Sequence, residues 1–172
     1  MARPPDPPSF EQIHELPEVY RRVVPPEYED FNGHMSIDHY LGIHSESGDP
    51  LMASLGLTDE YRAERRGSIF DVEHHLLYFG EVMVGDTVTV HGRIVDRSNK
   101  AVHGISFIAD LTREEVSNTL EWVSIHVDLD SRRPEPWPDD IASILDGLIA
   151  DDRELEWAPP LCGSMGVGAR SR

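Results

Sequence analysis

The chain has 172 residues and a formal net charge of −17, with 39% hydrophobic and 27% charged residues. That is enough apolar material for one core, and the length suits one domain. Such a charge repels phosphate backbones and anionic membranes, so neither nucleic acid nor a membrane is an expected partner. One cysteine, Cys162, excludes an internal disulfide, and a reducing compartment follows. The N-terminus lacks a signal-peptide apolar stretch and no run approaches the ~20 residues of a membrane span. The expected location is cytoplasmic.

Residues 1–18 read as an arm, because Pro4, Pro5, Pro7 and Pro8 forbid regular structure there. Residues 9–15 suit one helical turn. Val19 to Val24 is a short β-prone run stopped by Pro25-Pro26. Residues 27–35 form a loop. Ser36 is an expected N-cap whose hydroxyl accepts a first-turn N–H. A helix follows, with Ile37, Tyr40, Leu41 and His44 along one stripe. Gly48-Asp49-Pro50 should kink or restart it, with Asp49 as cap, and the apolar face continues to Leu57.

From residue 67 the period changes to two. Ser68–Phe79, Thr87–Asp96, Val102–Leu111 and Thr119–Leu129 are strands, and Gly85-Asp86 and Ser98-Asn99-Lys100 are turns between them. Asp139-Asp140 should cap a helix carrying Ile141, Ile144, Leu145 and Leu148 on one side. Residues 19–150 thus make the domain and 151–172 an irregular tail. A helix followed by an antiparallel meander is an α+β arrangement, in which the sheet wraps the helix at 36–57.

These residues also resemble a known family. Asp30-Phe31-Asn32-Gly33-His34-Met35, followed by Tyr40, is similar to the Asp-x-x-Gly-His-Met-Asn-x-x-x-Tyr signature of hot-dog-fold thioesterases of the 4-hydroxybenzoyl-CoA type. Glu73-x-His75-x-x-Tyr78-x-x-Glu81-Val82 and Gly85-Asp86-x-Val88-x-Val90 also look like that family. Leu55-Gly56-Leu57 with Tyr61-Arg62, the run His126 to Asp130, Arg132-Arg133, Pro134, Pro136 and Trp157 resemble its betainyl-CoA thioesterase branch. The departure is Ser36, where the family has Asn.

The resemblance implies a hot-dog fold, an acyl-CoA substrate and a homo-oligomer, a dimer or a dimer of dimers, with sites between subunits. Unpaired sheet edges argue for association independently. Asp30 is the implied catalytic carboxylate, either as general base for water or as nucleophile. The backbone N–H of Ile37 is the implied oxyanion donor, where free donors and the helix dipole coincide. Asn32, Gly33, His34, Tyr40, Glu73, His75 and Tyr78 are candidate substrate contacts. Aromatic faces at Tyr40, Tyr78, Phe79 and Trp122, with Glu73, would suit a trimethylammonium group.

No cofactor and no metal is expected. Glu73, His74 and His75 have ligand chemistry, but adjacent strand residues face opposite ways. CoA phosphates would need a local basic patch; Arg62, Arg65 and Arg66 form one cluster, Arg132 and Arg133 another. A hot-dog hydratase or dehydratase, or a non-catalytic acyl-CoA-binding protein, shares these features and stands as the alternative.

Overall fold

The computed structural model describes residues 5–168; the ends of the expected arm and tail, including Pro4, lie outside the described residues. The elements run α1 (Phe10–Ile13), β1 (Glu18–Val23), a 3-10 turn (Pro26–Tyr28), α2 (Ile37–Glu46), α3 (Gly48–Ser54), α4 (Asp59–Arg65), β2 (Gly67–Tyr78), β3 (Thr87–Arg97), β4 (Ala101–Asp110), β5 (Glu115–Asp128), β6 (Arg133–Pro134) and α5 (Asp139–Arg153). The strands form one antiparallel sheet in the order β1-β3-β4-β5-β2, with the short β6 beside β5.

The period-two segments are strands, as their patterning requires. β5 begins four residues earlier than expected, at Glu115. The expected single long helix is instead two. Ser47 ends α2 and caps α3 in helical backbone geometry, so the chain bends rather than stops. Pro50 then lacks the N–H that would continue the ladder to Glu46. The cap is therefore Ser47 and not Asp49. At the C-terminal helix, Pro138 holds the cap position and Asp139 and Asp140 lie in the first turn, where their charge meets the positive helix end. Its buried stripe is Ile141, Leu145 and Ile149, while Ile144 is exposed.

The two faces of the sheet are covered by different parts of the chain. On the inner face, α2 buries Tyr40 and Ile43 against Val88, Val90 and Ile108. Beside it, α3 and α5 pack Leu51, Leu55, Ile141 and Leu145 on Ile94, Val102, Leu120 and Trp122. Gly104 interrupts β4 for a steric reason: a Cβ there would lie 2.3 Å from the Trp122 ring. On the outer face, Ile13 of the arm and Trp157 of the tail close over Ile105, Phe107 and Val116. The tail begins at 154, because residues 151–153 complete α5.

The route between faces is secured at Arg93. Beyond His91 the edge of β3 has no strand partner in β1, and the end of α5 passes there. Arg93 is buried, pairs with Asp152, donates to the Trp157 carbonyl at 3.1 Å and stacks 4.2 Å from the Trp157 ring centroid. Burying both charges is tolerable because each is paired and the guanidinium has further acceptors.

The inner face also buries polar groups. His44 of α2 is 4% exposed, with Nε2 2.7 Å from Asn118 Oδ1 on β5 and Nδ1 2.8 Å from Ser106 Oγ on β4. Burial holds the imidazole down from 6.5 to about 4. The unfolded chain therefore binds this proton first as pH falls. The stabilisation is complete above pH 6.5 and is lost towards pH 4; a shift of this size corresponds to about 3 kcal/mol. Denaturant titrations between pH 7 and pH 4 should thus find that His44→Gln loses less stability than the parent, by up to about 3 kcal/mol. Parallel losses in the two proteins would refute the assignment.

Candidate active site

The loop before α2 is organised by its own backbone. Asp30 N–H donates to the His34 carbonyl at 2.9 Å and Gly33 N–H to the Asp30 carbonyl at 3.1 Å, with Gly33 at φ +84°. That left-handed turn suits a residue without Cβ. Two further bonds tie the loop to the body: Met35 N–H to the Val82 carbonyl and Ser36 N–H to the Tyr28 carbonyl, both 2.8 Å. The Tyr28 ring stacks on His39 at 3.7 Å between centroids. The loop is thus held between the 3-10 turn and the segment after β2.

Asp30 projects from this frame with its side chain 18% exposed. The Asn32 N–H donates to Asp30 Oδ1 at 2.7 Å, and the Asn32 amide to Oδ2 at 3.3 Å. His34 Nδ1 lies 3.8 Å from Oδ1. Partial burial pushes the carboxyl pKa up, but the Asn32 bonds and the His34 charge outweigh it. The net position is below the ordinary aspartate value, so Asp30 is a carboxylate at neutral pH.

Ser36 is the N-cap of α2 by backbone conformation only. Its hydroxyl donates to Asp38 Oδ1 and makes no bond to the first-turn N–H groups, contrary to expectation. Turned towards the Asp38 carboxylate, the hydroxyl oxygen accepts from none of those donors. Ile37 is the first helical residue, so its N–H has no acceptor in the helix. Its side chain is 67% exposed. Donor and carboxylate line one open cleft of about 850 Å³, together with Asn32, His34, Tyr40 and Tyr78. Tyr40 accepts the Val82 N–H at 3.2 Å and meets Tyr78 edge-on at 5.2 Å. Phe79 lines the same space.

Not every candidate is gathered there. Tyr78 pairs in register with Asn118, on the inner face, whereas His75 pairs with Glu121 and Glu73 with Val123, on the outer face. Glu73 and His75 lie five and three residues before Tyr78 in a regular stretch of ladder, so strand alternation alone puts them on the opposite face. Glu73 and His75 therefore lie across the sheet from the Asp30 cleft. Trp122 lines a second cavity, beneath the bend of α2 and α3, of about 530 Å³. His44, Ser106 and Ser124 line it too, with Asp71 and His74, whose side chains lie 3.4 Å apart. Of these, sequence reading named His44, Trp122 and, as a residue of ligand chemistry, His74, but did not bring them together. The available signal was polar residues (Ser106, Asn118, Ser124) in phase with the apolar inner face of their strands.

The first basic cluster is already neutralised: Arg62 pairs with Asp59 at 2.6 Å, Arg65 with Asp140 at 2.8 Å and Arg66 with Asp130 at 3.0 Å. The cleft carries Glu29, Asp30, Asp38 and Glu81 and, among the described residues, no Lys or Arg.

The family model described as the thioesterase-like superfamily matches residues 24–145. The betainyl-CoA thioesterase of Pseudomonas aeruginosa is 29% identical over 137 residues, 80% of this chain and 86% of that protein. The L-carnitine dehydrogenase/betainyl-CoA thioesterase of Agrobacterium fabrum is 31% identical over 142 residues, 83% of this chain but 28% of that protein. The chain thus spans only about a quarter of this two-activity relative. A Staphylococcus aureus protein solved in complex with CoA superposes with a TM-score of 0.77 at 21% identity, covering 89% of this chain and 97% of that one. The likeness in fold therefore extends over the wrapped sheet and its helices, and a match that runs from the β1–β3 junction through the Asp30 loop into α5 makes this chain a member of the thioesterase-like superfamily.

Proposed function

We propose that this protein hydrolyses a small acyl-CoA thioester to the free acid and CoA, with Asp30 as its catalytic carboxylate. The observation that carries this reading is one cleft holding both an ionised carboxylate and the free first-turn N–H of Ile37. Thioester hydrolysis needs a group to deliver or become the nucleophile and a donor for the oxyanion. Asp30 serves the first need, by activating water or by attacking the carbonyl carbon. Ile37 serves the second, reinforced by the α2 dipole. Asn32 and His34 orient the carboxylate, and Gly33 lets the backbone approach the substrate.

The acyl group we propose is small and cationic, as in the betainyl-CoA handled by the relatives. Glu29, Asp30, Asp38 and Glu81 make the cleft electronegative, which attracts a trimethylammonium group and disfavours an anionic acyl chain. The half-exposed Tyr78 ring offers a face for it. The anionic CoA portion then extends outward, away from this charge.

We further propose a homodimer. β2 is a 12-residue edge strand whose second edge meets no strand among the described residues. Phe70, Val72 and Tyr78 on it are exposed, as are Phe31 and Ile37 at the cleft. A long edge with apolar side chains invites pairing with another strand, and a second copy would close the open cleft. The cytoplasm is the proposed location; no helix among the described residues is long and apolar enough to cross a membrane.

Free-CoA release across an acyl-CoA panel tests the chemistry. Asp30→Asn should retain substrate binding and lose turnover by about 10²- to 10⁴-fold. Unchanged turnover would remove Asp30 from the chemistry, and no release from any ester by the parent chain would favour a binding protein. Ile37→Pro removes only the proposed oxyanion N–H, at the helix position where proline is best tolerated. Ser36, at φ −62° and ψ 147°, already has the backbone a following proline requires. This variant should fold normally and lose about 10²- to 10³-fold in kcat; full activity would remove Ile37 from the mechanism. For the interface, light scattering should report a dimer for the parent chain and a monomer for Phe70→Lys combined with Val72→Lys. A monomeric parent would refute the dimer.

A further inference from the structure

On the outer face, three donors of different chemistry come from three separate parts of the chain. Antiparallel register places His75 of β2 directly beside Glu121 of β5. The tail crosses at this point, and the Cys162 N–H donates to Glu121 Oε2 at 2.7 Å. A ring nitrogen of His75, a carboxylate oxygen of Glu121 and the sulfur of Cys162 all lie within 4.8 Å of one another. Tetrahedral zinc, with bonds of about 2.0 to 2.3 Å, sets its ligand atoms about 3.3 to 3.8 Å apart, so the side chains draw together by up to about 1 Å on binding.

The surroundings favour a ligand-holding role for the acid. The Glu121 side chain is 2% exposed, and a buried carboxylate is costly without compensating charge. Its other oxygen is 2.9 Å from His103 Nε2 on β4, an arrangement in which an imidazole orients a ligating carboxylate. Two bonds fill about half of the acceptor capacity of a carboxylate. Among the described residues His75 has no hydrogen-bond or ion-pair partner of its own. Cys162 makes a side-chain contact to Ser164 Oγ, at 3.2 Å.

We infer that His75, Glu121 and Cys162 bind one divalent transition-metal ion of the zinc class, which fastens the C-terminal tail to β2 and β5. The imidazole, carboxylate and thiolate set suits zinc and discriminates against magnesium and calcium, which take oxygen donors. The dication balances one carboxylate and one thiolate. Binding releases the thiol proton to solvent, and a water completes the fourth position. His103 is a positioning residue, acting through Glu121. The tail is the reason the site exists, since without Cys162 the strand pair supplies only two ligands.

The test uses the full chain, stripped with a chelator and titrated with zinc alone and, separately, with cobalt(II). The expected result is one metal per chain, with a thiolate-to-cobalt charge-transfer band in the near ultraviolet. Cys162→Ser keeps the backbone bond to Glu121 and so preserves the tail's docking, but it should abolish that band and lower zinc affinity by more than 100-fold, beyond the roughly 10- to 100-fold typical of losing an outer contact. His103→Ala should fall within that roughly 10- to 100-fold range and keep the band. No binding by the parent chain would overturn the inference. So would cobalt bound without the thiolate band, or zinc affinity unchanged in Cys162→Ser.

Discussion

The arrangement depends on how α2 is seated. A helix in the curve of a sheet is normally held by apolar contacts alone, and Tyr40 and Ile43 supply those. Here His44 adds two directional bonds, to β4 and to β5, from a side chain that is almost fully buried. Apolar packing lets a helix slide or rotate at small cost, whereas a buried imidazole that loses its partners leaves several polar groups unpaired. The rotation and depth of α2 are thereby fixed, and so is the position of its first turn, two helical turns away. The unpaired N–H of Ile37 is a property of any helix start; its usefulness comes from being held in place.

The sheet poses the complementary problem. A five-stranded order with helices on one side leaves an apolar outer face, and Phe107, Ile105 and Val116 would otherwise meet water. The arm and the tail cover it, one from each end of the chain, through Ile13 and Trp157. Neither has the length or periodicity of a regular element that could dock by itself. Their adhesion relies on point attachments: the His91 ring beside the Leu16 carbonyl, the Arg93–Asp152–Trp157 cluster, and the Cys162 N–H on Glu121. Polar anchors replace the extended apolar stripe that a longer helix would present.

Much of this was legible in the residues. Four strands with their turns, the helix start at Ile37, the bend near Gly48 and the gathering of Asp30, Asn32, His34, Tyr40 and Tyr78 all follow from period, cap and motif. The departures have local causes. Asp49 loses the cap because Ser47 keeps helical geometry through the bend. Ser36 makes no side-chain cap because its hydroxyl is turned to donate to the carboxylate of Asp38, two residues on. Glu73 and His75 stay out of the cleft because each lies an odd number of residues from Tyr78 on the same strand, and one residue of phase moves a side chain to the other face. Docking of the arm and tail was out of reach: it depends on tertiary contacts between irregular segments, which leave no period in the sequence.

β2 is where these lines of argument meet. Its inner face gives Tyr78 to the Asp30 cleft and His74 and Asp71 to the cavity under the helix bend. Its outer face gives His75 to the tail. Its free edge carries Phe70 and Val72 in solvent. An edge strand held from one side only is ordinarily the part of a sheet most ready to fray. Here its ladder to β5 runs from Gly67 to Tyr78, and it is flanked by α4, where the Tyr61 hydroxyl lies 2.7 Å from His126 Nε2 on β5. The ladder stiffens the strand along its length and the hydroxyl bond fixes α4 at its start. A strand that presents one face to a cleft, the other to a docked tail and, in the proposed dimer, its edge to a second chain needs that rigidity, because a slip of one residue would exchange its two faces.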